Sequence, residues 1–282
     1  MIAPEEFTCN GPDGTLIRGD RVNEVGTDAI LLLHGLTSHR RLVLMGSRKL
    51  ERLGYPIIRY DARGHGISQP AQGGGYSYEA LAADALEVLR VHNVERAVVV
   101  GVSMGAHTAA ALTLAKPNLI SGLVLITPAF DPTAEQDDSG RWAELADGLQ
   151  RSRVDGFIDA LDLDAIDQRW RDTVKTASRQ RMEAHKDLSA IATALREVPA
   201  SRPFERFEQL QALAAPTTVI GSRDDADPTH PETIARAWAD ALPGATFLVE
   251  DRGESPLAWR GAAISDAVIA TLDRCEFRST KA

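Results

Sequence analysis

Short apolar runs recur along the chain and are continuous instead of alternating with polar residues. In chain order they are AILLLHG, PIIRYDARG, RAVVVGVS, GLVLITP, TTVIGS and TFLVE. Continuous apolar runs of this length are typical of strands that are buried on both faces of a parallel sheet. The pattern therefore predicts a mostly parallel central sheet.

Stretches of helical period separate these runs. The clearest is SYEALAADALEVLRVHN, in which Ser77 is placed to cap the first turn. Leu81, Ala85, Leu86 and Leu89 then recur at helical spacing and form one apolar stripe. Strands and helices in alternation predict an α/β fold with a doubly wound sheet, whose functional loops lie at the carboxyl ends of the strands.

The pattern differs at the start of the chain and in its middle. FTCNGPDGTLIRGDRV predicts an N-terminal hairpin, because strand-forming residues flank a Gly-Pro-Asp-Gly turn. Between Phe130 and about Arg206 no strand-like run occurs, while amphipathic segments such as DGFIDALDLDAIDQRWRDTV do. We therefore predict a core of residues 1–130 and 207–282 with a helical insertion at 131–206.

Charge argues against polyanionic partners. The 282-residue chain has 40 acidic and 31 basic residues and a net charge of −9. Its basic residues form no cluster longer than a pair such as Arg40-Arg41. Nucleic acids and anionic membrane surfaces are therefore not expected as partners.

Other sequence signals favour a soluble cytoplasmic protein without a cofactor. The start MIAPEEFTCN lacks the apolar segment of a signal peptide, and the apolar runs are too short to span a bilayer. Cys9 and Cys275 lie near opposite ends, without metal-ligand spacing, and are expected to be reduced thiols. No metal-ligand cluster and no Gly-x-Gly-x-x-Gly opening a helix occur, so no metal or dinucleotide is implied. The sequence leaves homo-oligomer formation open.

The strongest chemical signal is Gly101-Val102-Ser103-Met104-Gly105, which joins a buried strand to an alanine-rich helix in VVVGVSMGAHTAAALTLA. Gly-x-Ser-x-Gly in this context is the pattern of a nucleophile elbow. Its turn is so sharp that the residues two positions either side of the serine must be small. The serine hydroxyl is thereby held clear of the backbone.

With this motif the chain resembles the α/β-hydrolase superfamily, over nearly its whole length except the insertion. LLLHGLTS is similar to the family's His-Gly loop after the third strand, so the resemblance assigns the backbone amides of Leu36 and Met104 to an oxyanion hole. His34 of that loop is structural in the family and also a candidate for lining the pocket. YDARGHGIS matches a loop that is usually structural, and the insertion occupies the place of the family's cap domain.

The catalytic acid is expected in VIGSRDDAD, after the penultimate strand. The family places it three residues past a glycine, which indicates Asp224. Asp225 and Asp227 stand in the same loop, and some members carry the acid after the sixth strand, where Asp131 lies. These alternatives remain open at the level of the sequence.

The expected base is missing. In the resembling enzymes a histidine follows the last strand, just after a glycine, but here Gly253 is followed by Glu254. A serine hydroxyl is a poor nucleophile unless a base removes its proton. Glu254 would be a weak base unless apolar burial raised its pKa. Trp259 in the same segment is a candidate for the pocket wall.

Among the seven histidines, His230 is the best candidate for the base. It lies six residues beyond Asp224, in a loop that should neighbour the family's histidine loop. His107 is expected to pack inside the fold, His65 to be a solvated loop residue, and His185 to lie on a polar helix face.

Three functional hypotheses follow. The first is a small-molecule hydrolase of esters, thioesters or lactones that uses Ser103. The second is a ligand-binding module of the same fold that has lost catalysis, which would explain the histidine gap. The third is a lyase or isomerase that does not use the serine, in which Glu254 or Asp224 moves a proton.

Overall fold

Strands of the described chain form one eight-stranded sheet in the order β1-β2-β4-β3-β5-β6-β7-β8. The computed structural model describes residues 3–72, 75–134, 139–224, 226–251, 259–277 and 279. The strands are β1 Glu5–Asn10, β2 Leu16–Val22, β3 Asp28–Leu33, β4 Ile57–Asp61, β5 Arg96–Val102, β6 Ile120–Ile126, β7 Thr217–Ile220 and β8 Thr246–Leu248. The predicted strands are confirmed, since each apolar run overlaps one.

Pairing along the sheet is mostly parallel. Strand β1 pairs with β2, and β2 with β4, in antiparallel register, so the predicted hairpin forms one edge. From β4 across to β8 every pair is parallel. The carboxyl ends of β3 to β8 therefore meet at the same edge of the sheet, where the loops of interest lie.

Helices cover both faces of this sheet. They are α1 Lys49–Leu53, α2 Tyr78–Val91, α3 Met104–Ala115, α4 Ser139–Asp159, α5 Gln168–Glu183, α6 Leu188–Ala200, α7 Glu232–Ala241 and α8 Gly261–Arg274. Leu31 and Val99 face one apolar layer, which includes α2, α3 and α7 residues. Their neighbours Ile30 and Val98 face the other, which includes α8. Because both faces are apolar, the strand sequences show no alternation.

Helix α2 begins as the sequence predicts. Ser77 accepts a hydrogen bond from the amide of Ala80 at 3.2 Å and so caps the first turn. The predicted stripe is buried at Leu81, Ala85 and Leu89. Helix α2 packs beside α3 and against β1.

Three helices, α4 to α6, lie between β6 and β7, and we call them the inserted helices. They have an apolar cluster of their own, which includes Leu149, Met182 and Leu195. Helix α4 is broken at Ser152 and Arg153 by non-helical backbone angles. The chain then returns to the same sheet, as the sequence indicates. As a division into core and cap, the boundaries 1–130, 131–206 and 207–282 stay a prediction.

The loop after β4 is held by buried ion pairs. Arg63 binds Asp84 of α2 through its Nε at 2.7 Å, and Arg40 binds Asp61. Asp61 also accepts a hydrogen bond from the Ile67 amide at 3.1 Å. These contacts agree with the structural role expected for YDARGHGIS.

Cys9 and Cys275 are both free thiols. Within the described residues no helix has the length and apolar composition that a membrane span requires.

Candidate active site

Ser103 lies in a sharp turn between two elements. Strand β5 ends at Val102, α3 begins at Met104, and Ser103 between them has φ 50° and ψ −112°. Such angles are strained for a residue with a side chain and persist only where the surroundings enforce them. The Ser103 amide donates to the carbonyl of Ile126 at 2.9 Å, and its carbonyl accepts from the His107 amide at 3.0 Å. Hydrogen bonds on both sides thus hold the turn.

The two glycines of the motif are required by close backbone approach. A Cβ at Gly101 would lie 2.2 Å from the carbonyl oxygen of Gly105. A Cβ at Gly105 would lie 2.2 Å from the carbonyl oxygen of Leu33 in β3. The spacing Gly-x-Ser-x-Gly therefore reflects the tight crossing of α3 over β5 and β3.

His230 reaches Ser103 from the loop between β7 and α7. Its Nε2 lies 2.8 Å from the Ser103 Oγ, and its Nδ1 lies 2.7 Å from Asp227 Oδ2. Because a carboxylate can only accept, the Asp227 contact places the proton on Nδ1. Nε2 is then left to accept a hydrogen bond from the Ser103 hydroxyl.

Asp227 is charged in this arrangement. Burial raises the pKa of its carboxyl group, but the neighbouring His230 and hydrogen bonds from His230 and Thr229 outweigh burial. The pKa of Asp227 is therefore held well below its ordinary value of 3.8. A charged carboxylate orients the imidazole and stabilises its protonated form.

The prediction of Asp224 as the histidine's partner needs correction. Asp224 accepts a hydrogen bond from the amide of Ala226 at 2.8 Å, whereas Asp227 contacts the imidazole. The chain forms a turn from Asp227 to His230, in which the His230 amide lies 3.4 Å from the Asp227 carbonyl oxygen. This turn brings the two side chains into contact. Asp131 binds the Thr133 amide of its own loop at 2.8 Å. Asp225 lies outside the described residues.

Glu254, the candidate at the family's histidine position, also lies outside the described residues. Trp259, which follows, donates from Nε1 to Glu250 Oε2 at 2.9 Å. Glu250 is buried and also accepts from Ser222 Oγ at 2.7 Å. Glu250 thus joins Trp259 to Ser222 in the loop after β7.

A cavity of about 160 Å³ lies at the carboxyl ends of β5, β6 and β7. Asp227 and His230 form part of its wall, and Asp224 and Glu250 add further carboxylates. Trp259 lines it, as the sequence predicts for a pocket wall. The apolar lining residues are Val43, Met45, Val102, Ile126, Trp259 and Ile264.

The loop after β3 approaches the Ser103 turn closely. A Cβ at Gly35 would lie 3.3 Å from the Val102 carbonyl oxygen and 3.6 Å from the Ser103 Cβ. Leu36 is the next residue after Gly35 and therefore lies next to the Ser103 turn. Met104 is the first residue of α3, so its amide has no acceptor within the helix. The two amides that the resemblance assigns to an oxyanion hole come from these positions.

The chain matches the family model described as alpha/beta hydrolase fold over residues 28–261. It belongs to the α/β-hydrolase fold family. The "Putative non-heme bromoperoxidase BpoC" of Mycobacterium tuberculosis is 28% identical over 235 residues, which cover 77% of this chain and 82% of that protein.

Solved structures of the α/β-hydrolase fold agree with this assignment. A hydrolase from Pseudomonas aeruginosa PA01 has a TM-score of 0.73 at 22% identity, covering 96% of this chain and 99% of that one. The enol-lactonase from Burkholderia xenovorans LB400 has a TM-score of 0.72 at 20% identity, covering 94% and 99%. At these identities the similarity shows the fold alone.

His34 and His107 are structural in this α/β-hydrolase fold. His34 is 2% exposed, and its Nε2 accepts from the Ala62 amide at 2.9 Å while its Nδ1 donates to the Gly35 carbonyl at 2.8 Å. His107 is buried as predicted, and its Nε2 accepts from the Ala129 amide at 2.9 Å. Burial lowers the pKa of His107 to about 3, so this imidazole is neutral.

The predictions for His65 and His185 are wrong. His65 is fully buried, and His185 is 7% exposed. His185 follows the end of α5, where its Nδ1 accepts from the Gly66 amide at 2.8 Å and its Nε2 donates to the Thr37 carbonyl at 3.1 Å. The polar sequence around His185 gave no sign of this, because its burial depends on contact with distant loops. His185 thereby fastens the inserted helices to the loops after β3 and β4.

The described part of the chain contains no candidate metal site. No group of three His, Cys, Asp or Glu side chains there is placed to hold a metal ion.

Proposed function

We propose that this protein is a serine hydrolase of small acyl compounds, an ester, thioester or lactone. The observation that carries the proposal is the 2.8 Å contact between Ser103 Oγ and His230 Nε2, with Asp227 on the far side of the imidazole. A nucleophile, a base and an orienting carboxylate in this order are the parts that acyl transfer needs.

In the proposed reaction Ser103 Oγ forms a bond to the substrate carbonyl carbon while its proton passes to His230 Nε2. The amides of Leu36 and Met104 donate to the oxyanion of the tetrahedral intermediate. The bond to the leaving oxygen or sulfur then breaks, and His230 returns the proton to that atom. Water repeats the sequence on the acyl-enzyme, which releases the acid and restores Ser103.

The position of His230 also removes the reason for proposing a ligand-binding module that has lost catalysis. That hypothesis rested on the missing histidine after β8. His230 supplies an imidazole at hydrogen-bond distance, so loss of catalysis is not needed to explain the departure. A strained Ser103 turn that is held by its neighbours also favours a catalytic role.

The inserted helices have the position of a cap in this proposal. Leu36 packs against their apolar cluster, which also contains Leu149 and Leu195. We therefore propose that the inserted helices cover the serine and shape the substrate pocket. The cytoplasmic location remains a prediction, and the sequence leaves homo-oligomer formation open.

Hydrolysis of p-nitrophenyl esters tests the proposal. We expect turnover by the wild-type protein and a loss of at least about 10⁴-fold in kcat on Ser103→Ala. Ser121→Ala is the matched control, because Ser121 binds the Ala97 carbonyl in the sheet at 3.2 Å, far from the turn. Equal turnover by the wild-type and Ser103→Ala proteins would contradict the serine mechanism.

A further inference from the structure

Strands β7 and β8 end side by side, and their register places Glu250 beside Ser222. Ile220 of β7 pairs with Leu248 of β8, and Ser222 and Glu250 each follow two residues later. Glu250 is buried, and its Oε1 accepts a hydrogen bond from Ser222 Oγ at 2.7 Å. Its Oε2 accepts from Trp259 Nε1 at 2.9 Å. A buried carboxylate with donors on both oxygens is held firmly, so Glu250 is a fixed point at the edge of the sheet.

Arg223 joins this fixed point to helix α7. Its amide donates to Glu250 Oε1 at 2.6 Å, and its Nη1 donates to the Glu250 carbonyl oxygen at 2.8 Å. Its Nε and Nη2 donate to the two carboxylate oxygens of Glu232, at 2.6 and 3.3 Å. Two N–H groups on one carboxylate make this ion pair directional as well as charged. One side chain thus holds the first residue of α7 against the chain that follows β8.

The position of Glu232 is transmitted to the imidazole. His230 lies two residues before Glu232, and Pro231 between them has a φ of −65°. The proline ring fixes this angle, so a displacement of Glu232 is carried to His230. His230 Nε2 lies 2.8 Å from Ser103 Oγ, and a hydrogen bond weakens steeply when it is lengthened or bent. The contact with the serine therefore depends on where Glu232 is held.

Asp227 is held by other contacts, which lie within the same loop as the imidazole. Its Oδ2 contacts His230 Nδ1 at 2.7 Å, and its Oδ1 accepts from the Thr229 amide at 3.2 Å. No hydrogen bond between described residues joins Arg223 to Asp227 or to His230. The aspartate and the imidazole therefore keep their mutual geometry when the loop is displaced, whereas the distance to the serine changes.

We propose that Arg223 is a positioning residue that sets the distance from His230 Nε2 to Ser103 Oγ. It does so by holding Glu232 against the chain that follows β8. The proposal rests on the proposed function, because this distance governs transfer of the serine proton. Removal of the guanidinium slows that transfer, while the contact between Asp227 and His230 is retained.

Steady-state kinetics on a p-nitrophenyl ester give the first test. Arg223→Gln should lower kcat by about 10- to 100-fold, because small displacements of a catalytic group are costly. KM should change by less than about threefold, since the described residues that line the cavity do not include Arg223. Arg223→Lys should recover part of the loss, because it retains the charge but not the paired N–H groups. An unchanged kcat in Arg223→Gln would overturn the proposal.

Arg236→Gln is the matched control. Arg236 Nη2 also donates to Glu232 Oε1, at 2.6 Å, but from the next turn of α7 itself. The control therefore removes the same charge from the same carboxylate and leaves the link to the chain after β8. It should keep kcat within about twofold of the wild-type value, because an exposed ion pair within a helix contributes little. Equal losses in both variants would contradict the proposal.

A second variant approaches the same ion pair from its other side. Glu232→Gln should lower kcat as Arg223→Gln does, and the double variant should be no slower than either single one. Such non-additivity is expected when two substitutions remove one interaction. Losses that multiply in the double variant would contradict a shared role. Glu232→Gln with wild-type kcat would do so too, and this arm stands even if Arg223→Gln does not fold.

Nuclear magnetic resonance of ¹⁵N-histidine-labelled protein separates this proposal from the proposed function. In Arg223→Gln the His230 Nε2 resonance should move toward its position in Ser103→Ala, because both lose the contact with the hydroxyl. The Nδ1 proton resonance should stay as in the wild-type protein, unlike that of Asp227→Asn. This result would support the positioning role even if no ester is hydrolysed. An unmoved Nε2 resonance, or a lost Nδ1 proton resonance, in Arg223→Gln would contradict it.

Discussion

His230 Nε2 lies 2.8 Å from Ser103 Oγ, although 127 positions separate the two residues in the chain. The imidazole comes from the loop between β7 and α7, not from the segment after β8 where the family resemblance places it. Asp227 comes from the same loop. One loop therefore supplies both groups that would activate the serine, and their relative geometry depends on a turn of four residues.

Removal of the imidazole tests this arrangement. His230→Ala should lower kcat on a p-nitrophenyl ester by at least about 10⁴-fold, because it removes the imidazole that contacts the Ser103 hydroxyl. His92→Ala is the control, since His92 Nδ1 donates to the Val88 carbonyl at 2.8 Å at the end of α2. A His230→Ala protein with more than a tenth of wild-type kcat would show that the base is another residue.

The two aspartates of the β7 loop are predicted to differ in effect. Asp227→Asn should lower kcat by about 10⁴-fold, because the amide carries no charge to orient the imidazole and no longer fixes the imidazole proton on Nδ1. Asp224→Asn should lower kcat less than about tenfold, because Asp224 holds a backbone turn. Steady-state kinetics of both variants on one ester measure the difference. The reverse order would restore Asp224 as the acid.

The glycine at 105 is predicted to be essential for stability. Gly105→Ala places a Cβ 2.2 Å from the Leu33 carbonyl oxygen, and we expect it to lower the free energy of unfolding by about 1–3 kcal/mol. Gly140→Ala is the matched control, because no described residue has an atom within 4 Å of its Cβ position. Urea unfolding measures both. Equal stability of the two variants would mean that the turn is less tightly packed than described.

Acid should destabilise the fold through His185. Burial lowers the pKa of His185 to about 4, against an ordinary value of 6.5 in the unfolded chain. The unfolded chain therefore binds more protons between these values, and stability falls as the pH drops through them. The full effect is about 3 kcal/mol at about 1.4 kcal/mol per pKa unit.

Urea unfolding at pH 7.0 and pH 4.5 measures this dependence. His185→Asn should lose less stability over this interval than the wild-type protein does. His92→Asn, a substitution outside the contacts between inserted helices and core, should keep the wild-type dependence. An unchanged dependence in His185→Asn would show that the acid sensitivity arises elsewhere.

The sequence predicted those features that depend on local pattern. Continuous apolar runs identified the strands, because both sheet faces are covered. The glycines at 101 and 105 identified the turn at Ser103, because the backbone approach that excludes a Cβ leaves a fixed spacing. His230 was selected because neighbouring parallel strands bring their following loops together.

Other features depend on contacts that the pattern does not show. Asp224 and Asp227 are carboxylates of one loop and differ only in which way the turn directs each side chain. His65 and His185 are buried by loops distant in sequence, so a polar neighbourhood misled the prediction.

Covalent labelling tests the central claim most directly. The purified protein would be incubated with a fluorophosphonate, and the adduct located by mass spectrometry after digestion. The account predicts rapid modification at Ser103 in the wild-type protein and its loss, beyond about a thousandfold in rate, in His230→Ala. Equally fast labelling of Ser103 in His230→Ala, or an adduct elsewhere, would contradict activation of Ser103 by His230.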